Sequence, residues 1–339
     1  MIKGKCLLDL YMKERSIFPN SYMEEVENAP ERKEKKYDIY YILSGDKYII
    51  SQYIEEGNVL EIEILNCTTN KRVCAYFDIG TTFRVPDASY LSILTIDRGS
   101  MLKITYKDKG IEYLKENDTF AYDIYCERTK GGETFECFIH AKSLFDRQMQ
   151  SDGEKFMQEY EVLYIGQSKR KSIFDRLKNH STLQKIMRDK LREGDNKELY
   201  VLIQSVGIKR LVQQNFEIYD ALFVSGNKLN AEDNLEGGIR NDDIINIAEA
   251  LLISHFKPRY NEKLVRDDGL EKLSTYRRIG DAEVNPIALS IDLFWEESGE
   301  QMILYTSETK TTTKGRYLEC YFENNKVNIT YEDVPDYLY

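Results

Sequence analysis

Tyr164, Arg176 and His180 lie close together in the chain, and Glu249 and Asn261 follow roughly seventy to eighty residues later. These are side chains that can hydrolyse a phosphodiester. A carboxylate such as Glu249 holds a hard divalent cation, which prefers oxygen ligands and keeps several waters. An arginine neutralises charge that builds on the phosphate. A tyrosine or a histidine orders or deprotonates the attacking water. Glu249 is flanked by Ile244, Ile245, Ile247, Ala248, Leu251 and Leu252. A carboxylate on so apolar a face is costly unless it is paired or binds a metal. Each residue taken singly has a plainer reading. His180 could be a core histidine, Arg176 could pair with Glu193, and Glu249 could pair with Lys257 or Arg259.

The elements that must position these residues can be read from periodicity. Glu161 to Gly166 alternates like a strand and stops at a glycine. The spacing of Ile173, Leu177, Leu183, Met187 and Leu191 predicts one helix over 172–191, with His180 on its apolar stripe. Arg176 and His180, four apart, then project in nearly the same direction. Asn241-Asp242-Asp243 caps a second helix that runs to about Phe256, and Pro258 closes it. Asn261 falls just past that stop.

The rest of the chain limits the partners. With 339 residues, 42% of them hydrophobic, it has material for two or three soluble domains. A net charge of −11 argues against a protein that coats nucleic acid over its whole surface. Between Ser168 and Arg192, however, nine basic residues face only Asp175 and Asp189. Lys169, Arg170, Lys171, Lys185, Arg188 and Lys190 in this run are candidates for phosphate-backbone contacts; a solvated helix face is the alternative. The six cysteines are scattered, with no Cys-x-x-Cys pair, and read as reduced thiols. The start lacks the apolar core of a signal peptide, and a cytoplasmic location is expected.

Strand signals fill 37–125, spaced roughly ten residues apart, while residues 1–35 read as irregular or weakly helical. Thr134 to Ala141 reads as a strand, 144–160 as a helix with its own loop, and 198–204 as another strand. An insertion at 206–240 carries a strand signal at 219–224 and the turn Gly237-Gly238. Strands return from about 288. The expected fold class is α+β, a small antiparallel sheet flanked by helices between two β-rich regions. The expected division is an accessory domain at 1–127, a mixed domain at 128–268 and a β-rich C-terminal region at 269–339. That last region could stand alone or complete the first domain's sheet.

The ordered set Tyr164-Ile165-Gly166, Arg176-x-x-x-His180, Ala248-Glu249, Pro258 and Asn261 resembles the GIY-YIG endonuclease family, over about 135–264. The resemblance implies a small antiparallel sheet flanked by helices. It also implies a single divalent metal, Mg²⁺ or Mn²⁺, held by Glu249, with Tyr164, Arg176, His180 and Asn261 in the site. The family's first signature strand, Gly-Ile-Tyr, is missing from its usual place just before Tyr164. The nearest upstream strand reads Phe138-Ile139-His140, which makes His140 the candidate for the missing tyrosine's place, since imidazole titrates near neutrality. Asp38-Ile39-Tyr40-Tyr41 looks closer to the motif, but it lies about 124 residues before Tyr164 and is set down as a coincidence.

The expected function is that of a metal-dependent endonuclease on double-stranded DNA, in restriction or defence by family analogy. The β-rich regions would recognise a limited nucleic-acid feature of the substrate, or contact a protein partner or a second copy of the chain. The alternative is a module that kept the fold, binds nucleic acid or protein and has lost turnover.

Overall fold

The computed structural model describes residues 6–28, 35–117, 124–129, 133–151, 157–168, 172–213, 241–262, 275, 284–295, 300–311, 315–323 and 326–334. The expected strand at 219–224, the Gly237-Gly238 turn and Lys169, Arg170 and Lys171 lie outside the described residues.

The strands are β1 (Cys6–Pro19), β2 (Ile39–Asp46), β3 (Tyr48–Glu56), β4 (Val59–Asn66), β5 (Arg72–Asp78), β6 (Leu91–Asp97), β7 (Met101–Tyr106), β8 (Ile124–Thr129), β9 (Glu133–His140), β10 (Met157–Gln167), β11 (Lys197–Gln213), β12 (Val284–Asp292), β13 (Phe294–Trp295), β14 (Glu300–Tyr305), β15 (Gly315–Glu323) and β16 (Lys326–Val334). The helices are α1 (Met23–Asn28), α2 (Ile79–Phe83), α3 (Asp108–Asn117), α4 (Ala141–Ser151), α5 (Ile173–Lys178), α6 (Ser181–Glu193) and α7 (Asn241–Phe256). The class is mixed α and β, with strands predominating. Among the described residues, no helix is long and apolar enough to cross a membrane.

The expected small sheet is in fact a large one. Nine strands run in the order β13-β14-β10-β2-β11-β1-β12-β15-β16. All neighbours are antiparallel except β1 with β12 and β10 with β14, which are parallel. The sheet draws β1 and β2 from the expected accessory domain, β10 and β11 from the middle, and β12 to β16 from the C-terminal region, so it does not follow the boundaries at 127 and 268. The stretch expected to be irregular supplies β1, a fourteen-residue strand hydrogen-bonded on both edges, to β11 and β12.

Both faces of the central strands are covered, and the burial shows why β2 is a continuous apolar run. Ile39, Tyr41, Leu43, Val162, Ile165 and Leu202 face α7, whose Ile244, Ile247, Leu251 and Phe256 fill the same core. Tyr40, Ile42, Leu163, Val201 and Ile203 face the other way, onto Ile173, Phe174 and Leu177 of α5 and Leu183 and Ile186 of α6. Each such side chain contributes about 1.5–3 kcal/mol when fully buried, and truncating Leu251 to Ala would cost about 2–5 kcal/mol. Two smaller sheets, β3-β4-β5 and β6-β7-β9-β8, pack around α4 through Leu144, Phe145 and Met149.

The single helix expected over 172–191 is two helices. Its stripe stops at Leu183, since Met187 is 41% and Leu191 83% exposed. The break falls at Asn179 and His180. His180 is extended and its Nδ1 accepts the Leu183 N–H at 3.2 Å, so the ring is the N-cap of α6. By contrast α7 matches its expected span. It ends where Lys257 takes a left-handed conformation, φ 48°, just before Pro258.

Candidate active site

The strand β10 is bent where it carries Tyr164. Its pairing with β2 slips between Val162 and Tyr164, leaving Leu163 as an extra residue. Such a bulge re-aims the side chains around it. The chain after α7 holds the bulge in place. Tyr260 N–H donates to the Leu163 carbonyl at 3.2 Å. The Asn261 side chain accepts from Ile165 N–H at 2.9 Å and donates to Ile165 C=O at 2.7 Å. Asn261 is buried, and with both ends of its amide on the backbone it serves as a clamp that positions the strand.

The tyrosine beside Tyr164 is Tyr40. In the register, Tyr40 of β2 stands opposite Gly166 of β10 and Ile203 of β11. Its ring centroid is 6.0 Å from that of Tyr164 and 5.9 Å, edge-on, from His180; Tyr164 and His180 are 5.0 Å apart. Arg176 Nε donates to the Tyr40 hydroxyl at 3.3 Å. Gly166 permits this approach: a Cβ there would lie 2.5 Å from Tyr40 Cζ and 2.8 Å from Tyr164 Cε1. The stretch Asp38 to Tyr41, set down above as a coincidence for its distance in sequence, begins the strand that neighbours Tyr164-Ile165-Gly166.

His140 is placed elsewhere. It closes β9 in the four-stranded sheet, opposite Met101. Its Nε2 lies 3.4 Å from Glu198 Oε2, and its ring meets Tyr200 edge-on at 5.9 Å. Tyr200 faces the α7 side of the large sheet, whereas Tyr164 faces α5 and α6. His140 is buried among Lys142, Asp146 and Gln158, joined by ion-pair and hydrogen-bond contacts of its own.

Glu249 sits half-buried on α7, and Gln167, the last residue of β10, reaches it. Gln167 Nε2 donates to Glu249 Oε2 at 2.5 Å and to Asn246 Oδ1 at 3.0 Å. The ion pairs that the sequence offered Glu249 go to other partners, Lys257 to Glu308 and Arg259 to Glu161 and Glu193. Glu249 still acts electrostatically on Tyr40, Tyr164 and Arg176. The five side chains thus gather around the end of β10, two tyrosines, a histidine and an arginine on one face and the carboxylate reaching in from the other.

Burial, and next the neighbouring Tyr164, raises the Tyr40 phenol well above its usual range. Burial and then Glu249 raise that of Tyr164, against the opposing pull of Arg176. Both phenols keep their protons at neutral pH. Burial, and then the Arg176 charge, lowers the His180 pKa, so the ring is neutral. Because Nδ1 accepts the Leu183 N–H, the remaining proton is on Nε2, and His180 presents a donor. That geometry suits a hydrogen bond to an anionic oxygen and does not suit taking a proton at Nε2.

For a hard cation the donor set fits. Such an ion uses one or two carboxylates and keeps several waters, and Glu249 is accompanied by a neutral oxygen, the buried Gln167 Oε1, which has no hydrogen-bond partner among the described residues. Among the described residues there is no group of three His, Cys, Asp or Glu able to hold a metal.

The basic run divides. Lys185 and Arg188 are exposed, with Lys185 bridging to Glu262 at 3.0 Å. Lys190 is 11% exposed and is held by Glu193 at 3.0 Å and Asp195 at 2.7 Å. Lys190 lines a cavity of about 450 Å³ together with Met187, Leu191 and Lys197, and its lining includes none of Tyr40, Tyr164, Arg176, His180 and Glu249.

No protein-family model, no curated protein and no solved structure matches this chain.

Proposed function

We propose that the chain is a divalent-metal-dependent endonuclease that hydrolyses DNA phosphodiester bonds, built around a GIY-YIG-like site. The observation that carries this reading is the packing of Tyr40 against Tyr164 and His180, with Arg176 on the Tyr40 hydroxyl and Glu249 beside Gln167. Tyr40 takes the first signature position, and His140 has no part in the chemistry.

Each residue has a role its surroundings allow. Arg176, exposed at its end, meets the phosphate and offsets charge building on it. His180 donates from Nε2 to a phosphate oxygen. Tyr164, half-exposed, receives a hydrogen bond from the attacking water, and Tyr40 with Arg176 fixes the Tyr164 ring. Glu249 would hold the cation, Mg²⁺ or Mn²⁺, which would supply Lewis-acid polarisation of a phosphoryl oxygen. Lys185 and Arg188 contact the DNA backbone, while exposed Glu55 and Glu56 on β3 suit that sheet to a protein partner rather than to phosphate. A restriction or defence setting fits a nuclease site joined to such accessory sheets.

The alternative of a binding module without turnover rested on histidine at the first signature position. The proposal sets Tyr40, beside Tyr164, in that position instead. Nicking of supercoiled plasmid separates the two. Cleavage in Mg²⁺ or Mn²⁺ that disappears in EDTA and in a folded Glu249→Gln variant is expected. Turnover by Glu249→Gln comparable to the parent, or DNA binding with no cleavage under any of these metals, would overturn the proposal.

A further inference from the structure

The oxygen of Gln167 is aimed by a chain of hydrogen bonds whose direction can be read from its buried end. Asp243 is fully buried, and its Oδ1 can only accept when ionised; Thr275 Oγ1 donates to it at 3.3 Å. Having used its proton, the Thr275 hydroxyl accepts from Asn246 Nδ2 at 3.0 Å. The carbonyl end of Asn246 must then face the other way, toward Gln167, and it accepts from Gln167 Nε2 at 3.0 Å. The second N–H of that amide goes to Glu249 Oε2. Reversing the Gln167 amide would set its oxygen against two other oxygens. The carboxyl of Asp243 thereby fixes, through two intermediaries, which way Gln167 points.

The consequence is a carbonyl oxygen, Gln167 Oε1, that is buried and has no hydrogen-bond partner among the described residues. A buried carbonyl left in that state is destabilising, and a ligand that takes a lone pair would relieve it. Resting on the cation reading of Glu249, we propose that Gln167 completes the cation site: its N–H orients the Glu249 carboxylate, and its Oε1 supplies a second, uncharged oxygen to the cation or to one of its waters. Asn246 and, behind it, Thr275 and Asp243 act as positioning residues for that pair.

The test is Mn²⁺ binding to the DNA-free protein, followed by electron paramagnetic resonance of free Mn²⁺, with thermal unfolding to confirm that each variant folds. Gln167→Met keeps the side chain's length and removes both functions; its Mn²⁺ affinity is expected to fall about tenfold to a hundredfold, as when the support of a metal ligand is removed. Gln167→Glu restores an oxygen and is expected to regain affinity over Gln167→Met. Asn246→Leu, which offers the cation nothing itself, is expected to weaken binding as well. A folded Gln167→Met that binds Mn²⁺ as the parent does, or a Gln167→Glu no better than Gln167→Met, would overturn the role of Gln167 while leaving Glu249 in place. Mn²⁺ binding that is absent in the parent, or unchanged in Glu249→Gln, would overturn the cation reading of Glu249 and this proposal with it.

Discussion

Arg176 Nε and the Tyr40 hydroxyl are 3.3 Å apart and separated by 136 positions of sequence. One belongs to the short helix after β10, the other to the strand beside it. The bond ties a charged, exposed group to a buried ring that also touches Tyr164 and His180. Tyr40→Phe should keep that packing and lose only the oxygen. Turnover is expected to drop on the order of 10²-fold, the range for a misplaced reacting group, with thermal stability close to the parent. His140→Ala should do the reverse, lowering stability by about 1–3 kcal/mol through its buried polar neighbours and leaving turnover per folded molecule unchanged. Parent-like plasmid cleavage by Tyr40→Phe would remove Tyr40 from the site.

His180 serves the fold and the site at once, and two substitutions separate the roles. Asn is a good N-cap, so His180→Asn should preserve α6 and lose the Nε2–H donor. His180→Ala should lose the cap as well, costing a further ~1 kcal/mol. The pH dependence has a definite sign. The folded pKa lies below the ordinary 6.5 through burial and Arg176, so the unfolded chain binds the proton more readily. The neutral ring's contribution is complete above pH 6.5 and is lost as pH falls below it toward the depressed value. Urea titrations should show the parent losing stability relative to His180→Asn as pH is lowered from 6.5; a constant difference would contradict the assignment.

Asn261→Ala removes both partners of the buried Ile165 peptide groups. The expected loss is about 2–4 kcal/mol, from one donor and one acceptor left without hydrogen bonds. Asn261→Asp should recover only the half that accepts from Ile165 N–H. A chemical-denaturation midpoint unchanged by Asn261→Ala would show that the clamp contributes nothing.

The basic residues should separate in a salt titration. Lys185→Glu with Arg188→Glu is expected to weaken DNA binding and reduce the slope of log K against log salt by nearly one per lost phosphate contact. Lys190→Ala is expected to leave the slope alone and cost stability, because its ammonium is already shared between Glu193 and Asp195. Equal slopes for the parent and both variants would return the helix face to ordinary solvated charge.

The local features were readable from sequence. The alternation of 161–166 falls within β10, which runs on to Gln167, α7 spans its capped and proline-stopped segment, and Glu249 stands out as a carboxylate in an apolar helix. What pairs with β10 was not readable, because nothing in 161–166 specifies a partner more than a hundred residues away. A signal did exist. Ile39 to Leu43 is apolar at every position, unlike β4, where burial alternates. A continuous run marks a strand covered on both faces, and such a strand belongs in the middle of the large sheet. The break at His180 was hidden for the opposite reason: Leu177 and Leu183 continue one apolar stripe across it, and the ring that caps α6 also fits that stripe.

The nine-stranded sheet has a consequence for the chain as it leaves the ribosome. Tyr40 emerges early, but β10 must follow it, the Asn261 clamp comes far later, and the outer edge of β10 is closed only by β14. At roughly 5–20 residues per second, Tyr40 waits on the order of ten seconds or more for Asn261. A nascent or truncated chain therefore carries the motif residues without their arrangement. Excising 128–268 as a freestanding nuclease would leave β1, β2 and Tyr40 behind, so any cleavage activity is a property of the finished polypeptide and is withheld from its fragments.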